Sequence, residues 1–362
     1  MLNSKKLLII SCSTGSGHLR AAEALRLTCD KLYPNVEVLH IDMADYLDGI
    51  SRIYLVSFYN LFSNLIPFSY KLLYYLTNSW LAQIVFRAVS PIIRIGSRKL
   101  IKKIEEYKPD LIISTHFLPS LILPNKISTP IDTVITDYHA HKIWLTPKNR
   151  NFFVATEEIK IELGKFHIQS TVSGIPIHPN FFEQKDISKL RDKFNIKNNN
   201  PIILFMPTSR GKVSPALAIN KILNHNFGTA LNIVAIAGKN KKRNLDDLEQ
   251  FKTVEHTNFT IFENVENIDE LMKISDIIVG KAGGLTVSEA LFLQKPIIII
   301  NPIPGQEDYN TSYLEKNHFG LSAKSDNDLV KKIQYILSNP TSINKKSYPD
   351  PSKIILDKAL MI

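Results

Sequence analysis

The sequence predicts an α/β protein with two Rossmann-like, doubly wound domains that face a central cleft. Short apolar runs alternate with helical patterns in two successive series, as is typical of strands buried in parallel sheets. A polar and charged stretch at 180–200 separates the two series. The length of 362 residues also fits two domains, since a domain commonly contains about 150 residues.

The first series begins with a strand at 7–10. A glycine-bearing turn follows, and then a helix on which Ala22, Leu25 and Cys29 recur at helical spacing. Further strands are predicted at 36–41, 111–114 and 133–136. We assign these elements to an N-terminal domain of residues 1–178.

The second series belongs to a C-terminal domain of residues 179–340, which is followed by a tail, 341–362, that we expect to be helical in part. Its predicted strands are 202–206, 232–236, 259–262, 277–279 and 297–300. Open α/β sheets bind ligands beyond the carboxyl ends of their strands. The loops that follow the strands therefore line the predicted cleft.

Composition limits the classes of partner and compartment. The 44 basic residues exceed the 34 acidic ones by 10 and the pI is about 9.3, which favours anionic partners such as phosphorylated substrates or acidic lipid. No nucleic-acid-binding module is recognisable, so no nucleic acid is expected. The two cysteines, Cys12 and Cys29, are too few for a disulfide scaffold and indicate a reducing cytoplasm. The apolar stretches are too short or too interrupted for a signal peptide or a membrane span.

The first motif, 13–18, follows the first strand and opens a helix. Its two glycines suit a tight turn next to an anion, but Arg20 stands where the dinucleotide-binding fingerprint has a third glycine. His18 lies in the first helical turn, where the helix dipole favours a neutral imidazole that can accept a proton. A purely structural turn or cap is the alternative.

The second motif, 136–144, follows another strand. Asp137 is expected to orient His18 or to act as a base itself, and Trp144 to cover a lipid or sugar face. His139 and His141 alternate as metal ligands on a strand would, but no third ligand is close in sequence. Ordinary strand-end polarity also explains such a cluster.

The third and fourth motifs follow strands of the second domain. Residues 280–291 form a glycine turn and a helix start that suit a diphosphate, with Glu289 placed to accept both hydroxyls of a ribose. The alternative is a capping box between Thr286 and Glu289. In the loop 301–308, Gln306 and Glu307 are suited to sugar hydroxyls, although a simple turn has the same composition.

The segment 53–103 mixes aromatic and basic residues, a composition typical of a surface that lies on an anionic membrane. Core packing of the first domain explains many of the aromatic residues equally well.

Taken with these motifs, the chain resembles the glycolipid synthases of glycosyltransferase family 28, which include bacterial processive diacylglycerol glucosyltransferases and plant-type monogalactosyldiacylglycerol synthases. The resemblance covers essentially the whole chain. The segments that carry it are 15–18, 136–137, 141–144, 154–156, 173–177, 281–284 and 304–307.

The resemblance implies a GT-B fold and a single-displacement, inverting transfer of glucose or galactose from a UDP-sugar to diacylglycerol, without metal or cofactor. It implies His18 as catalytic base with Asp137 orienting it, or Asp137 as the base. Acceptor-binding residues would be Gly17, His141 and Trp144. Donor-binding residues would be Gly211, Lys281, Ala282, Gly283, Gly284, Leu285, Thr286, Glu289, Gln306 and Glu307.

The implied location is the cytoplasmic side of the cell membrane, bound peripherally to anionic lipid. In the stretch 206–211, Pro207 and Arg210 stand where small residues are common in the family, which weakens the expected phosphate contact there. Two alternatives remain. One is transfer of N-acetylglucosamine to a polyprenyl-diphosphate or small-molecule acceptor. The other is a non-catalytic sensor of nucleotide sugars.

Overall fold

The computed structural model describes most of the chain: residues 5–13, 16–49, 51, 78, 96–145, 149–196, 198–207, 213–238, 258–345 and 348–361. Most of the predicted membrane-docking segment 53–103, and Gly211, lie outside these residues. The chain divides into two compact units. The first contains Met1–Pro179, Pro304–Gln306 and Tyr348–Ile362, and the second contains Asn180–Ile303 and Glu307–Ser347.

Each unit contains a parallel sheet with helices packed on it. The strands are β1 Lys5–Ser11, β2 Val36–Asp42, β3 Leu111–Ser114, β4 Ile131–Val134, β5 Asn151–Val154, β6 Ser170–Val172, β7 Ile202–Phe205, β8 Asn232–Ile236, β9 Phe259–Phe262, β10 Ile277–Gly280, β11 Ile297–Ile299 and β12 Gly320–Ser322. The helices are α1 Ser16–Leu32, α2 Arg98–Tyr107, α3 Phe117–Ile122, α4 Glu157–Gly164, α5 Ile187–Lys193, α6 Pro215–Leu223, α7 Ile268–Ile274, α8 Gly284–Phe292, α9 Gln306–Lys316, α10 Asp326–Ser338 and α11 Pro351–Leu360. Among these described helices, none is long and apolar enough to cross a bilayer.

The first sheet has the order β2-β1-β3-β4-β5-β6, so the strand order reverses between β1 and β3. Side chains of β1 alternate between the two faces of the sheet. Leu8 and Ile10 join a core with residues of α2 and α3, whereas Leu7 and Ile9 join one with residues of α1 and α11. Helices therefore cover both faces, which confirms the predicted doubly wound architecture.

The second sheet has the order β12-β11-β10-β7-β8-β9. Numbered within this unit, the order is 3-2-1-4-5-6 read from β9, which is the order of dinucleotide-binding sheets. Its order reverses between β7 and β10. One face of its core joins Ile203 and Phe205 to Ile219 on α6 and Ile333 on α10.

Three strands were missed and one was misplaced. The prediction of a strand at 133–136 is wrong in its bounds, because β4 pairs with β3 from Ile131 onward. Asp132 hid that start, since a charged residue is unusual inside a buried strand. The missed strands β5, β6 and β12 are short, and the last two also lie at sheet edges with few apolar residues, so they lack a periodic signal.

The last helix, α11, packs against the first unit. Lys5 Nζ donates to the carbonyl of Leu360 at 2.7 Å, and Arg150 donates to the carbonyl of Ala359 at 2.9 Å. Tyr33 also donates to Asp357. These bonds hold α11 on the first unit.

Candidate active site

The reversal of strand order in the first sheet brings two loops together at the carboxyl ends of β1 and β3. His18 lies in the first turn of α1, and Thr115 directly follows β3. The Thr115 hydroxyl donates to the His18 carbonyl at 2.9 Å, and His18 Nδ1 donates to the Thr115 carbonyl at 2.8 Å. Because a carbonyl only accepts, Nδ1 carries the ring proton and Nε2 is left as the acceptor.

Burial lowers the pKa of His18, because the imidazolium form would lose its hydration. The negative charge of Asp137 and the hydrogen bond to Thr115 raise this pKa, but by less than burial lowers it. The positive end of α1 also disfavours a cation at this position. His18 is therefore a neutral imidazole at physiological pH, in the tautomer that a general base needs.

Aromatic rings surround the His18 imidazole. The ring of His116 stands perpendicular to it, with centroids 4.6 Å apart, and the Trp144 ring lies 6.0 Å away. Phe117 contacts both His116 and Trp144. Sequence reasoning missed Thr115 and His116. Their position directly after a buried strand was the one signal that could have pointed to them. It could not place them near His18, because nothing in the local sequence shows that β3 lies beside β1.

Asp137 is buried three residues beyond β4. Within the first unit, to which Pro304–Gln306 belong, Gln306 Nε2 donates to both carboxylate oxygens of Asp137 at 3.0 and 2.9 Å. The His18 ring is fixed by the bond from its Nδ1 to the Thr115 carbonyl, and the Thr136 hydroxyl lies 3.1 Å from the same nitrogen, whereas Asp137 acts on His18 through its charge.

The loop after Asp137 is held by one of its own side chains and by Asn78. His141 Nδ1 accepts from the Ile143 amide at 3.2 Å and so caps a 3₁₀ turn, Lys142–Trp144, that carries Trp144. Asn78 accepts from the Lys142 amide at 2.9 Å. Burial, and the neighbouring His141, lower the pKa of His139 to about 4.

The predicted acceptor-binding residues therefore differ in placement. Gly17 precedes His18 in the first turn of α1, Trp144 lies against the His18 ring, and His141 supports the turn between them. In the described ranges of the chain, no three His, Cys, Asp or Glu side chains gather as metal ligands would.

In the second unit, α8 begins directly after the turn that follows β10. Gly283 is its N-cap, and no side chain caps the helix. The first backbone N–H groups of α8 therefore have no side chain from the N-cap as acceptor. Such groups at a helix N-terminus are suited to bind an anion. The capping box with Thr286 as cap is wrong, because the helix already begins at Gly284.

The loops after β10 and β11 are joined by buried polar contacts. Glu307 is buried; its Oε2 accepts from the Ile303 amide at 2.8 Å, and its Oε1 lies 3.6 Å from Lys281 Nζ. Asn310 donates to the Ala282 carbonyl at 2.8 Å. The turn that presents the start of α8 is thus fixed from α9.

The remaining predicted donor-binding residues lie on or beside this helix. Leu285 and Gly284 are buried in its first turn, Thr286 is half-buried, and Glu289 is fully buried one turn further on. Gly211 lies outside the described residues. The unit thus brings the residues from 281 to 289 and Glu307 to one end of its sheet.

Two family models match the chain. Monogalactosyldiacylglycerol (MGDG) synthase matches residues 18–177, and glycosyl transferases group 1 matches residues 186–350. Residues 178–185, between the two matches, lie in the sequence after the last strand of the first sheet and before the first strand of the second. The two matches cover the His18 loop and the start of α8 respectively.

Curated relatives match nearly the full length. The chain is 28% identical over 378 residues to a processive diacylglycerol beta-glucosyltransferase of Bacillus cereus (strain G9842), covering 99% of this chain and 94% of that protein. It is 25% identical over 379 residues to the protein of the same name from Bacillus subtilis (strain 168), covering 99% and 96%. MurG of Acinetobacter baumannii has a TM-score of 0.60 at 12% identity, covering 99% of this chain and all of that one, which shows the GT-B fold. Both family matches and these full-length relatives confirm the resemblance of the chain to the glycolipid synthases of glycosyltransferase family 28.

Proposed function

We propose that this enzyme transfers glucose or galactose from a UDP-sugar to diacylglycerol, with inversion at the anomeric carbon, to make a membrane glycolipid. The observation that carries the proposal is the state of His18, a neutral ring with its proton fixed on Nδ1 and its Nε2 able to accept. The names of the full-length relatives supply the reaction class.

In the proposed mechanism, His18 Nε2 takes the proton of the lipid hydroxyl as its oxygen attacks the anomeric carbon. The bond between that carbon and the diphosphate oxygen breaks in the same step, and UDP leaves with the electron pair. The resulting imidazolium keeps its hydrogen bond to Thr115 and is stabilised by the charge of Asp137. Asp137 remains the alternative base.

The second unit supplies the donor-binding residues other than Gln306 in this proposal. The uncapped amides at the start of α8 and the Lys281 ammonium stabilise the diphosphate, and more strongly as it gains charge on leaving. Glu289 would bind the ribose, and Gln306 and Glu307 the hexose hydroxyls. Gly211 would add a phosphate contact. We propose no metal ion or cofactor for the reaction, because Lys281 and the helix dipole supply the positive charge.

The acceptor side is assigned to Gly17, His141 and Trp144, with Trp144 covering the lipid glycerol next to the His18 ring. We propose that segment 53–103 docks on the anionic cytoplasmic face of the cell membrane, where diacylglycerol is available.

The test is transfer of radiolabelled sugar from UDP-glucose and from UDP-galactose into diacylglycerol in anionic vesicles, with no added metal. Labelled lipid is expected from one donor. His18→Ala should abolish it while UDP affinity by calorimetry is retained, and His225→Ala, an exposed histidine of the second unit, is the matched control.

Failure has distinct meanings in this assay. No label from either donor, with UDP still bound, would move the acceptor to a polyprenyl-diphosphate or small molecule, or make the protein a sensor. Near-normal turnover in His18→Ala would reassign the base to Asp137 or to water.

A further inference from the structure

Among the described residues, His116 makes the closest ring contact with His18, and no part of the proposed mechanism uses it. It follows Thr115 at the end of β3 and is only 3% exposed. Its ring meets the His18 ring edge-on, with the centroids 4.6 Å apart and the planes at 90°. The His116 ring also packs against Phe117, with 4.4 Å between the ring centroids.

The His116 ring is also fixed through its own nitrogen. Its Nδ1 accepts from the Leu118 amide at 3.2 Å, which makes His116 the N-cap of α3. A nitrogen that accepts carries no proton, so the neutral ring has its proton on Nε2. The His116 main chain is held as well, since Ser114 Oγ donates to its carbonyl at 2.6 Å.

We propose that His116 is a positioning residue for the base: its capped ring packs edge-on against the half-buried His18, fixes the plane of that ring and shields the side that it contacts from water. This inference rests on the proposed role of His18. It assigns to His116 no contact with substrate, since it acts only through His18.

The physical reason is solvation. His18 is kept neutral mainly by burial, and the His116 ring is part of what buries it. His116 itself stays neutral because burial, together with the neighbouring His18, holds its pKa well below the usual range. Within the part of the chain that the structure describes, the carboxylate of Asp137, from the loop after β4, raises the pKa of His18, and the titratable ring of His116, from the loop after β3, contacts it. Thr136 and Trp144 face it as neutral groups.

Two substitutions separate the ring contact from the cap. His116→Asn keeps an oxygen that can accept from the Leu118 amide, since asparagine is a preferred N-cap, but it removes the ring. His116→Phe keeps a ring of similar size against His18 and removes the cap. The first variant should therefore admit water to His18, and the second should not.

The readout is the pKa of His18, measured in the full-length protein by NMR titration of ¹³C-labelled histidine rings, with His18→Gln assigning the resonance. We expect the His18 pKa to rise toward its ordinary value in His116→Asn and to stay lowered in His116→Phe. In the lipid assay, the acid limb of kcat/KM should move to higher pH in His116→Asn alone.

A His18 pKa that stays lowered in His116→Asn, or that returns to the ordinary range in His116→Phe, overturns the proposal. If His116 served only as a cap, His116→Phe would lose stability and His116→Asn would resemble the wild type. Should His116→Asn not fold, the His116→Phe titration still decides. Because the titration needs no turnover, an inactive wild type would count against the proposed function and not against this role of His116.

Discussion

Substitution of Gly283 separates two roles that the start of α8 can have, a helix end that needs a cap and an anion site. Gly283 has φ −67° and ψ 137°, a conformation open to any residue. A Cβ there would lie 3.9 Å from Glu307 Oε1 and 4.0 Å from Lys281 Cε, which is ordinary van der Waals contact. A Cβ can therefore be added at this N-cap without moving the backbone.

Gly283→Asn and Gly283→Asp add side chains of the same size that can cap the helix, and they differ by one charge. Capping should change stability by only a few tenths of a kcal/mol relative to glycine. A carboxylate about 6 Å from one phosphate charge, at an effective dielectric constant of about 20, repels it by about 3 kcal/mol. That energy corresponds to an affinity loss of roughly 100-fold.

We therefore expect UDP to bind Gly283→Asp about 100-fold more weakly than Gly283→Asn, as measured by calorimetry at low ionic strength. Gly283→Ala, which adds no acceptor, should bind UDP like the wild type. Urea unfolding checks that all three variants remain folded. If Gly283→Asp and Gly283→Asn bind UDP within threefold of one another, the diphosphate does not lie at this helix end.

The other predictions concern the base His18, the proposed ribose contact of Glu289 and the ion pair between Arg150 and Asp132. Because His18 must be neutral to accept a proton and its partial burial lowers its pKa, kcat/KM should fall on acidification only below pH 6.5; an acid limb above pH 6.5 would contradict a base with a lowered pKa. Glu289→Gln preserves the size of a fully buried side chain, so the fold should persist while UDP affinity drops at least tenfold by calorimetry; unchanged affinity would reduce Glu289 to a structural residue. Arg150→Met leaves the fully buried Asp132 carboxylate without its ion-pair partner. The free energy of unfolding, measured in urea, should therefore fall by about 2–4 kcal/mol. This loss is smaller than the largest ones known for buried ion pairs, because Arg150 is partly exposed. Lys160→Met, at an exposed ion pair, is its control, with less than about 1 kcal/mol expected; equal losses in the two variants would refute the argument.

The sequence predicted those parts of the fold whose signals are local. The segments β1–α1 and β10–α8 each combine an apolar run with small residues and a helix start, so the strand, the turn and the helix could be inferred from the sequence. The partners of His18 could not be inferred in this way. Thr115 lies 97 residues further along the chain, and only the strand order, with β3 beside β1, brings it to the ring.

The same limit applies to α11. Its helical pattern is visible in the tail, but the bonds from Lys5 and Arg150 that place it on the first unit join residues up to 355 positions apart. The positions of loops and edge strands are also hard to predict from the sequence, because they depend on neighbours in space and not on the periodicity of apolar residues. The docking of segment 53–103 on a membrane stays a prediction.

Both sites are built on the same local structure, a parallel strand, a short turn and the start of a helix. The amides at such a helix start carry about half a positive charge, which disfavours a cation and favours an anion. In α1 the group at the helix start is His18, so the dipole helps to keep a base unprotonated. In α8 the cap is a glycine, so the amides remain available to an anion such as a leaving diphosphate. The partial positive charge at a helix start therefore serves both the proton transfer and the departure of the diphosphate in the proposed reaction. The two sites differ in the residue at the helix start, which is His18 in α1 and Gly283 in α8. Negative charge introduced at the start of α1 would raise the pKa of His18, so that less of the ring is neutral at low pH, whereas at the start of α8 it would repel the donor.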